Sequence, residues 1–307
     1  MIGYLATRLL PMVPRSVVYA IARRYVAGED LDAAVNTVGN LNRNRFDATL
    51  DILGEDATDA AHADATVRAY CEVLERVAAE GLRSNISVKL THLGMRLDPE
   101  AALGRVESLV ARAGELGNFV RIDMEDSSLT DATLGIHRTL RERHANVGTV
   151  LQAYLRRTEV DARELASVGT NLRLCKGIYR EPATIAFKDR DEIRESFLRT
   201  ANVLLEGKAT YTGFATHDRE LIAGLVAMVN RMEIPRDRFE FQALLGVPVE
   251  DLLRKLVDDG FRVRIYVPFG SEWYPYSSRR LKENPKMASY VISHLFSPRS
   301  RASRDEG

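Results

Sequence analysis

Charged and polar side chains recur at one kind of position in this chain, on or beside short β-rich runs. Lys89 stands near the end of Asn85–Leu90, Asp123 near the end of Phe119–Met124 and Gln152 near the end of Gly148–Ala153. Asn171–Lys176 carries Arg173 and Lys176, and Tyr211–Thr216 runs into His217 and Asp218. Arg238–Gln242 carries Glu240 and Gln242, and Arg262–Val267 carries Arg264 and Tyr266. A charge taken out of water is costly unless it finds a partner. Lys89 and Asp123, on consecutive runs at similar height, are expected to pair with each other. A second dense cluster lies further on. Tyr276, Arg279, Arg280 and Glu283 are three or four apart, so one helical face can present a tyrosine, an arginine and a glutamate together. The guanidinium fork matches a carboxylate with two parallel hydrogen bonds. A small zwitterion needs such a fork, an anion for its ammonium group and an aromatic wall for its carbon ring.

Several chemistries lack their motifs. The six histidines (62, 92, 137, 144, 217 and 294) show no metal-ligand spacing, and no C-x-x-C occurs, so no metal is expected. There is no G-x-x-x-x-G-K loop, no G-x-S-x-G elbow and no G-x-G turn for a dinucleotide. Lys plus Arg and Asp plus Glu both number 43, which gives no support for nucleic acid as a partner. Cys71 and Cys175 are too few and too far apart for a disulfide framework, which favours a reducing cytoplasm. No run reaches the roughly 20 apolar residues of a membrane span. Residues 1–24 are apolar with scattered arginines. They read as amphipathic helix covering the protein body, with contact to the inner face of the cytoplasmic membrane as the other reading.

Such residues need a frame that brings separate runs to one place. Eight β-rich runs are present, the first being Phe46–Leu53, and Ala/Leu/Glu/Arg-rich stretches fill most gaps. The clearest helical stretches are Ala57–Glu80, Glu100–Leu116, Thr130–His144, Asp191–Glu206 and Arg219–Arg231. Strand–helix alternation repeated eight times predicts an α/β chain folded as a (β/α)8 TIM-type barrel, whose active site lies at the C-terminal ends of its strands, so the polar residues above, Glu240 and Arg264 among them, are expected at that rim. Residues 1–43 read as an N-terminal helical extension, 44–298 as the catalytic barrel and 299–307 as a polar tail.

The run Arg173-Leu174-Cys175-Lys176-Gly177-Ile178-Tyr179 is similar to the R-L-V-K-G-A-Y signature of proline dehydrogenases. Ser87-Val88-Lys89-Leu90, Ile122-Asp123-Met124-Glu125, Gln152-Ala153-Tyr154 and Phe214-Ala215-Thr216-His217 match in order. So do Phe239-Glu240-Phe241-Gln242, Arg264-Ile265-Tyr266-Val267-Pro268 and the stretch from Tyr276 to Asn284. The resemblance implies a distorted barrel whose eighth helix sits over the strand ends, and a non-covalently held FAD. It implies oxidation of L-proline to 1-pyrroline-5-carboxylate, with electrons passing to a membrane quinone and a pyrroline-5-carboxylate dehydrogenase as a possible partner. Arg279 and Arg280 would grip the proline carboxylate and Glu283 the ammonium side. Lys89, Asp123 and Arg173 would order substrate and flavin. Leu244, Tyr266 and Tyr276 would wall the ring. Met124, Gln152, Arg173, Lys176, Gly177, Ile178, Thr216 and His217 would bind or tune FAD.

The chain departs from the family pattern at Cys175, Ile178 and Arg180. Cys175 reads as a buried, inert thiol. Two other readings compete: a flavin-linked barrel oxidising another cyclic amine such as hydroxyproline, and a non-catalytic barrel that binds proline or a partner enzyme.

Overall fold

The computed structural model of the chain describes residues 22–207, 210–274 and 276–277. Eight parallel strands close into one barrel in sequence order, β1 pairing with both β2 and β8. They are β1 (Asp47–Ile52), β2 (Ser84–Val88), β3 (Val120–Ile122), β4 (Val147–Gln152), β5 (Asn171–Cys175), β6 (Tyr211–Ala215), β7 (Phe239–Leu244) and β8 (Val263–Phe269). All eight expected runs are strands.

Eight α-helices accompany them among the described residues: α1 (Leu31–Arg43), α2 (Ala60–Ala79), α3 (Pro99–Glu115), α4 (Thr130–Arg141), α5 (Thr158–Ser167), α6 (Arg190–Glu206), α7 (Arg219–Arg231) and α8 (Glu250–Asp258). The starts of most are set by acidic caps. Asp30, Asp59, Asp98, Asp189 and Asp218 each accept backbone N–H bonds at the head of α1, α2, α3, α6 and α7. The five expected helices are present within a few residues of their predicted bounds. The short α5 and α8 complete the ring.

Strand side chains alternate between two environments. The outward set is apolar and packs on the helices. Phe214, Phe239 and Phe241 from β6 and β7 meet Phe261 in a tilted and edge-on cluster with ring centroids 5.3 to 6.1 Å apart. The inward set is polar. Asp47, Thr49 and Asp51 of β1 lie on the same face as Arg121 of β3, Asp123 just after it, Arg173 of β5, Gln242 of β7 and Arg264 of β8. Branched aliphatics dominate a regular barrel interior. Here bonded charges take their place.

Helix α1 precedes β1 yet packs against both β1 and β8 through Ala34, Val35 and Val38. It fills the position on the ring that a helix following β8 would take in a regular barrel. Ala27 N–H donates to Pro268 O, and Gly270 N–H to Gly28 O, each at 2.9 Å, so the chain at Ala27 and Gly28 is tied to the end of β8. The expected eighth helix over the strand ends, and the 299–307 tail, fall outside the described residues.

Candidate active site

The polar interior is one connected chain of hydrogen bonds. At its foot, Arg264 Nε donates to Glu240 Oε1 at 2.7 Å and Arg264 Nη1 to Ala48 O at 2.6 Å. Burial alone would raise the Glu240 carboxyl, but Arg264 outweighs it and holds the group below its usual range. Glu240 Oε1 also accepts from Gln242 Nε2 at 2.6 Å, and Gln242 Oε1 accepts from Arg173 Nε at 2.6 Å. Gly213 makes room for this bridge, since a Cβ there would lie 2.3 Å from Gln242 Nε2. Glu240 and Arg264 are each the second residue of their strand, at the end opposite the mouth. The expectation that they sit at the catalytic rim is therefore corrected. They support the site from below, because period-2 alternation fixes only their face and not their height.

Arg173 carries the chain upward. Its Nη1 donates to Asp123 Oδ1 at 2.6 Å, and its guanidinium carbon lies 5.1 Å from the centroid of the Tyr266 ring. Asp123 also accepts from Ser87 Oγ at 2.7 Å and from Tyr266 Oη at 2.8 Å. Burial, and next the Asp123 charge, push the Tyr266 hydroxyl well above its ordinary value, which keeps it a donor. Asp123 is thus the meeting point of β2, β3, β5 and β8.

Lys89 does not bond Asp123. Its Nζ stands 3.1 Å from both oxygens of Asp51, a β1 carboxylate with a side chain only 2 % exposed. The expected Lys89–Asp123 pair is replaced by two pairs side by side, Lys89–Asp51 and Arg173–Asp123. Burial works against the Lys89 charge, but Asp51 and then Asp123 more than offset it, so the ammonium is held protonated. Asp51 was not foreseen. The alternation Asp47, Thr49, Asp51 within Phe46–Leu53 carried the signal, since three polar residues two apart must share a face.

The cofactor-side residues divide into two groups. Gln152 Nε2 donates to Met124 O at 3.1 Å and Glu125 O at 2.9 Å, while its Oε1 is buried with no hydrogen-bond partner among the described residues. Met124 is buried beside it, and Ile178 is 45 % exposed. Gly177 has φ +103°, and a Cβ at that position would meet the Tyr154 ring at 2.2 Å, so the turn after β5 admits only glycine without strain. The second group is spent on the protein itself. Lys176 Nζ donates to Asp218 Oδ2 at 2.6 Å, and Arg194 grips the same carboxylate with two nitrogens at 2.8 and 3.1 Å. Burial would raise Asp218, but these cations hold it far below the usual carboxylate range. Thr216 Oγ1 accepts from Asp218 N at 3.2 Å, and His217 Nε2 accepts from Leu244 N at 3.0 Å, which ties the ends of β6 and β7. Burial pushes the Cys175 thiol up to about 11, so it stays protonated.

Leu244 is half-buried at the end of β7. Tyr276 is buried against Leu53 and Val26, with Trp273 beside them. Arg279, Arg280 and Glu283 lie outside the described residues.

A closed eight-stranded parallel barrel with paired charges converging at its mouth defines a (β/α)8 barrel enzyme. A family model described as proline dehydrogenase matches residues 34–293. Proline dehydrogenase 1 of Bacillus subtilis is 39% identical over 275 residues, covering 89% of this chain and 90% of that protein. Proline dehydrogenase of Deinococcus radiodurans is 36% identical over 286 residues, covering 92% of each. Among solved structures, proline utilization A of Bdellovibrio bacteriovorus, inactivated by N-propargylglycine, superposes with a TM-score of 0.82 at 26% identity. That match covers 91% of this chain and 34% of the longer protein. The chain belongs to the proline dehydrogenase family.

Proposed function

We propose that this chain oxidises L-proline to 1-pyrroline-5-carboxylate with non-covalently bound FAD and delivers the electrons to a membrane quinone. The observation that carries this reading is the convergence of Lys89, Asp123, Arg173, Gln152 and Tyr266 from five strands at one mouth, in a chain of this family. The cofactor fits the residues present. A flavin ring carries an N–H donor of the kind that the buried, unpartnered Gln152 Oε1 lacks. Met124 follows β3, Lys176, Gly177 and Ile178 share the turn after β5, and Thr216 and His217 stand on the neighbouring turn after β6. FAD, when bound, supplies the acceptor for a hydride from proline C5, while the ring nitrogen loses a proton and the C=N bond forms.

The chain's own residues fix what can be oxidised. Arg279 and Arg280 would take the substrate carboxylate and Glu283 the ammonium side, and Leu244, Tyr266 and Tyr276 would wall the ring. Tyr266 is held rigid by Asp123 and by the Arg173 guanidinium against its face, so the wall is fixed before substrate arrives. A cationic residue near the flavin favours its reduced, anionic form, and Arg173 or Lys176 would supply that charge. Among the described residues no helix is long and apolar enough to cross a membrane. Docking to the inner face of the membrane, and hand-over of product to a pyrroline-5-carboxylate dehydrogenase, complete the proposed setting.

The test is colour. The purified protein should be yellow and should bleach anaerobically on addition of L-proline. A water-soluble quinone analogue should restore the colour and sustain turnover, and NAD should do neither. Acid precipitation should leave FAD in the supernatant. A colourless protein, bleaching only by hydroxyproline, or FMN in place of FAD would overturn the reading.

A further inference from the structure

The strand ladder between β1 and β2 is interrupted by a side chain from outside the barrel. Ala48 N–H donates to Arg83 O at 2.9 Å, and a parallel ladder advances by two residues on each strand. Two steps on, Ile52 N–H should meet Ser87 O. Between them stands the hydroxyl of Tyr70, a fully buried residue of α2. It accepts from Ile52 N–H at 3.1 Å and donates to Ser87 O at 2.8 Å. The register reflects the wedge. β1 follows β8 as far as Ile52 and β2 follows β3 as far as Val88, but β1 and β2 pair only to Leu50 and Ile86.

The wedge touches both halves of the site. Ile52 follows Asp51, and Tyr70 Oη lies 3.3 Å from Asp51 Oδ1, the oxygen that also holds Lys89. Ser87 is two residues before Lys89 on the same face, and its own hydroxyl donates to Asp123. One phenol hydroxyl therefore pins the backbone on either side of the Lys89–Asp51 pair and, through Ser87, the Asp123 centre. A packing tyrosine in α2 needs only its ring. This one delivers its oxygen through the barrel wall.

We propose that Tyr70 is a positioning residue for the reaction, placing the Lys89 ammonium through Asp51 by holding β1 and β2 apart at the mouth. The proposal rests on the proline-oxidising reading of the site, and the measurements are chosen to separate the two. Tyr70→Phe keeps the ring and removes the wedge's oxygen. It should lower kcat/KM for proline by about tenfold, the scale expected for loss of one hydrogen bond that orients a charged group. Residues acting through one another are non-additive. In a Lys89→Met background the further loss on adding Tyr70→Phe should therefore fall below about twofold. A purely structural defect would instead carry its full tenfold into the double variant. Asp51→Asn with Lys89→Met should show the same non-additivity, and Ser87→Ala, which leaves the Tyr70 bonds to backbone in place, should not reproduce the Tyr70→Phe effect on Lys89.

A second readout needs no activity. The Lys89 amine, held protonated by Asp51, should acylate slowly with acetic anhydride at pH 9. Tyr70→Phe and Asp51→Asn should both speed that labelling several-fold, read by peptide mass spectrometry against the exposed lysines as internal standard. Additive kinetics of Tyr70→Phe with Lys89→Met, or a Lys89 labelling rate unchanged in Tyr70→Phe, would overturn the proposal. If the wild-type protein fails to oxidise proline, the proposed function falls, and the labelling still decides whether Tyr70 and Asp51 hold Lys89.

Discussion

The guanidinium of Arg173 and the hydroxyl of Tyr266 bond the same carboxylate, Asp123, while the guanidinium also lies over the face of the tyrosine ring. Cation, anion and aromatic wall are thus one rigid unit, built from three strands that are distant in sequence. Altering any of the three disturbs the other two.

Asp123→Ala should therefore cost more than an orienting contact. It leaves the Arg173 guanidinium, 7 % exposed, without its anion. Breaking a buried pair from one side costs about 3–5 kcal/mol. Urea unfolding should show a loss of that order, and proline turnover should fall to near background. Asp123→Asn, which keeps volume and an acceptor, should lose turnover with a smaller stability loss. Normal turnover in both variants would show that the pocket is elsewhere.

Gly177→Ala should damage the turn after β5. The added methyl meets the Tyr154 ring, and φ +103° is strained for any other residue. The cost is on the order of 1–3 kcal/mol. The melting temperature should drop, and the flavin-to-protein ratio, measured by absorbance after gel filtration, should drop with it. A variant that keeps both has no need of glycine there.

Acid should weaken the protein through His92. Burial, and next the charge of Lys89, lower this imidazole to about 4 from an ordinary 6.5. The unfolded chain then binds the proton more readily than the folded one between these values. Stability from this group is present above pH 6.5, is lost as pH falls towards 4, and changes no further below that. The span amounts to roughly 3 kcal/mol. His92→Gln should flatten that part of the curve in urea titrations from pH 7 to 4. A variant with the wild-type slope would place the acid sensitivity in other groups.

Arg279→Lys and Arg280→Lys should each raise the apparent KM for proline. A lysine supplies charge but not the two-pronged contact. Charge-assisted hydrogen bonds are worth about 1.5–3 kcal/mol, so the loss in kcat/KM should be roughly tenfold to a hundredfold. Flavin content should hold, because the expected flavin contacts come from the turns after β3 to β6. Stopped-flow reduction by proline separates the two quantities. Unchanged proline affinity in both variants would mark the pair as a solvated surface feature.

The barrel was legible in the sequence because each strand pairs a short β-rich run with turn residues, and because α2, α3, α4, α6 and α7 carry long apolar stripes. The short α5 and α8, ten and nine residues long, offered too few turns to stand out. Arg173, Asp123, Gln152 and Tyr266 were legible as polar residues on apolar strands. Partnership was less so. Lys89 chose Asp51 over Asp123 because β2 lies between β1 and β3 and Arg173 already occupies Asp123, whereas the sequence reading weighed only the β3 neighbour. Glu240 and Arg264 were assigned to the wrong end, since alternation gives a face without a height. Tyr70 gave no signal, because its place in the α2 stripe of Thr66, Tyr70, Val73, Leu74 and Val77 is that of any core aromatic.

Helix α1 docks on β1 and β8, the first and last strands of the barrel. A nascent chain therefore makes α1 at the outset but completes its docking surface only when β8 has been synthesised. Until then the apolar stripe of Ala34, Val35 and Val38 has half a partner, and the ring stands open at that seam. Folding to the closed state must then wait for β8, a long-range closure of the kind that slows folding and leaves strand edges open to aggregation. Fragments ending before Val263 would carry that open edge permanently, while a chain that extends through Phe269 can seal it.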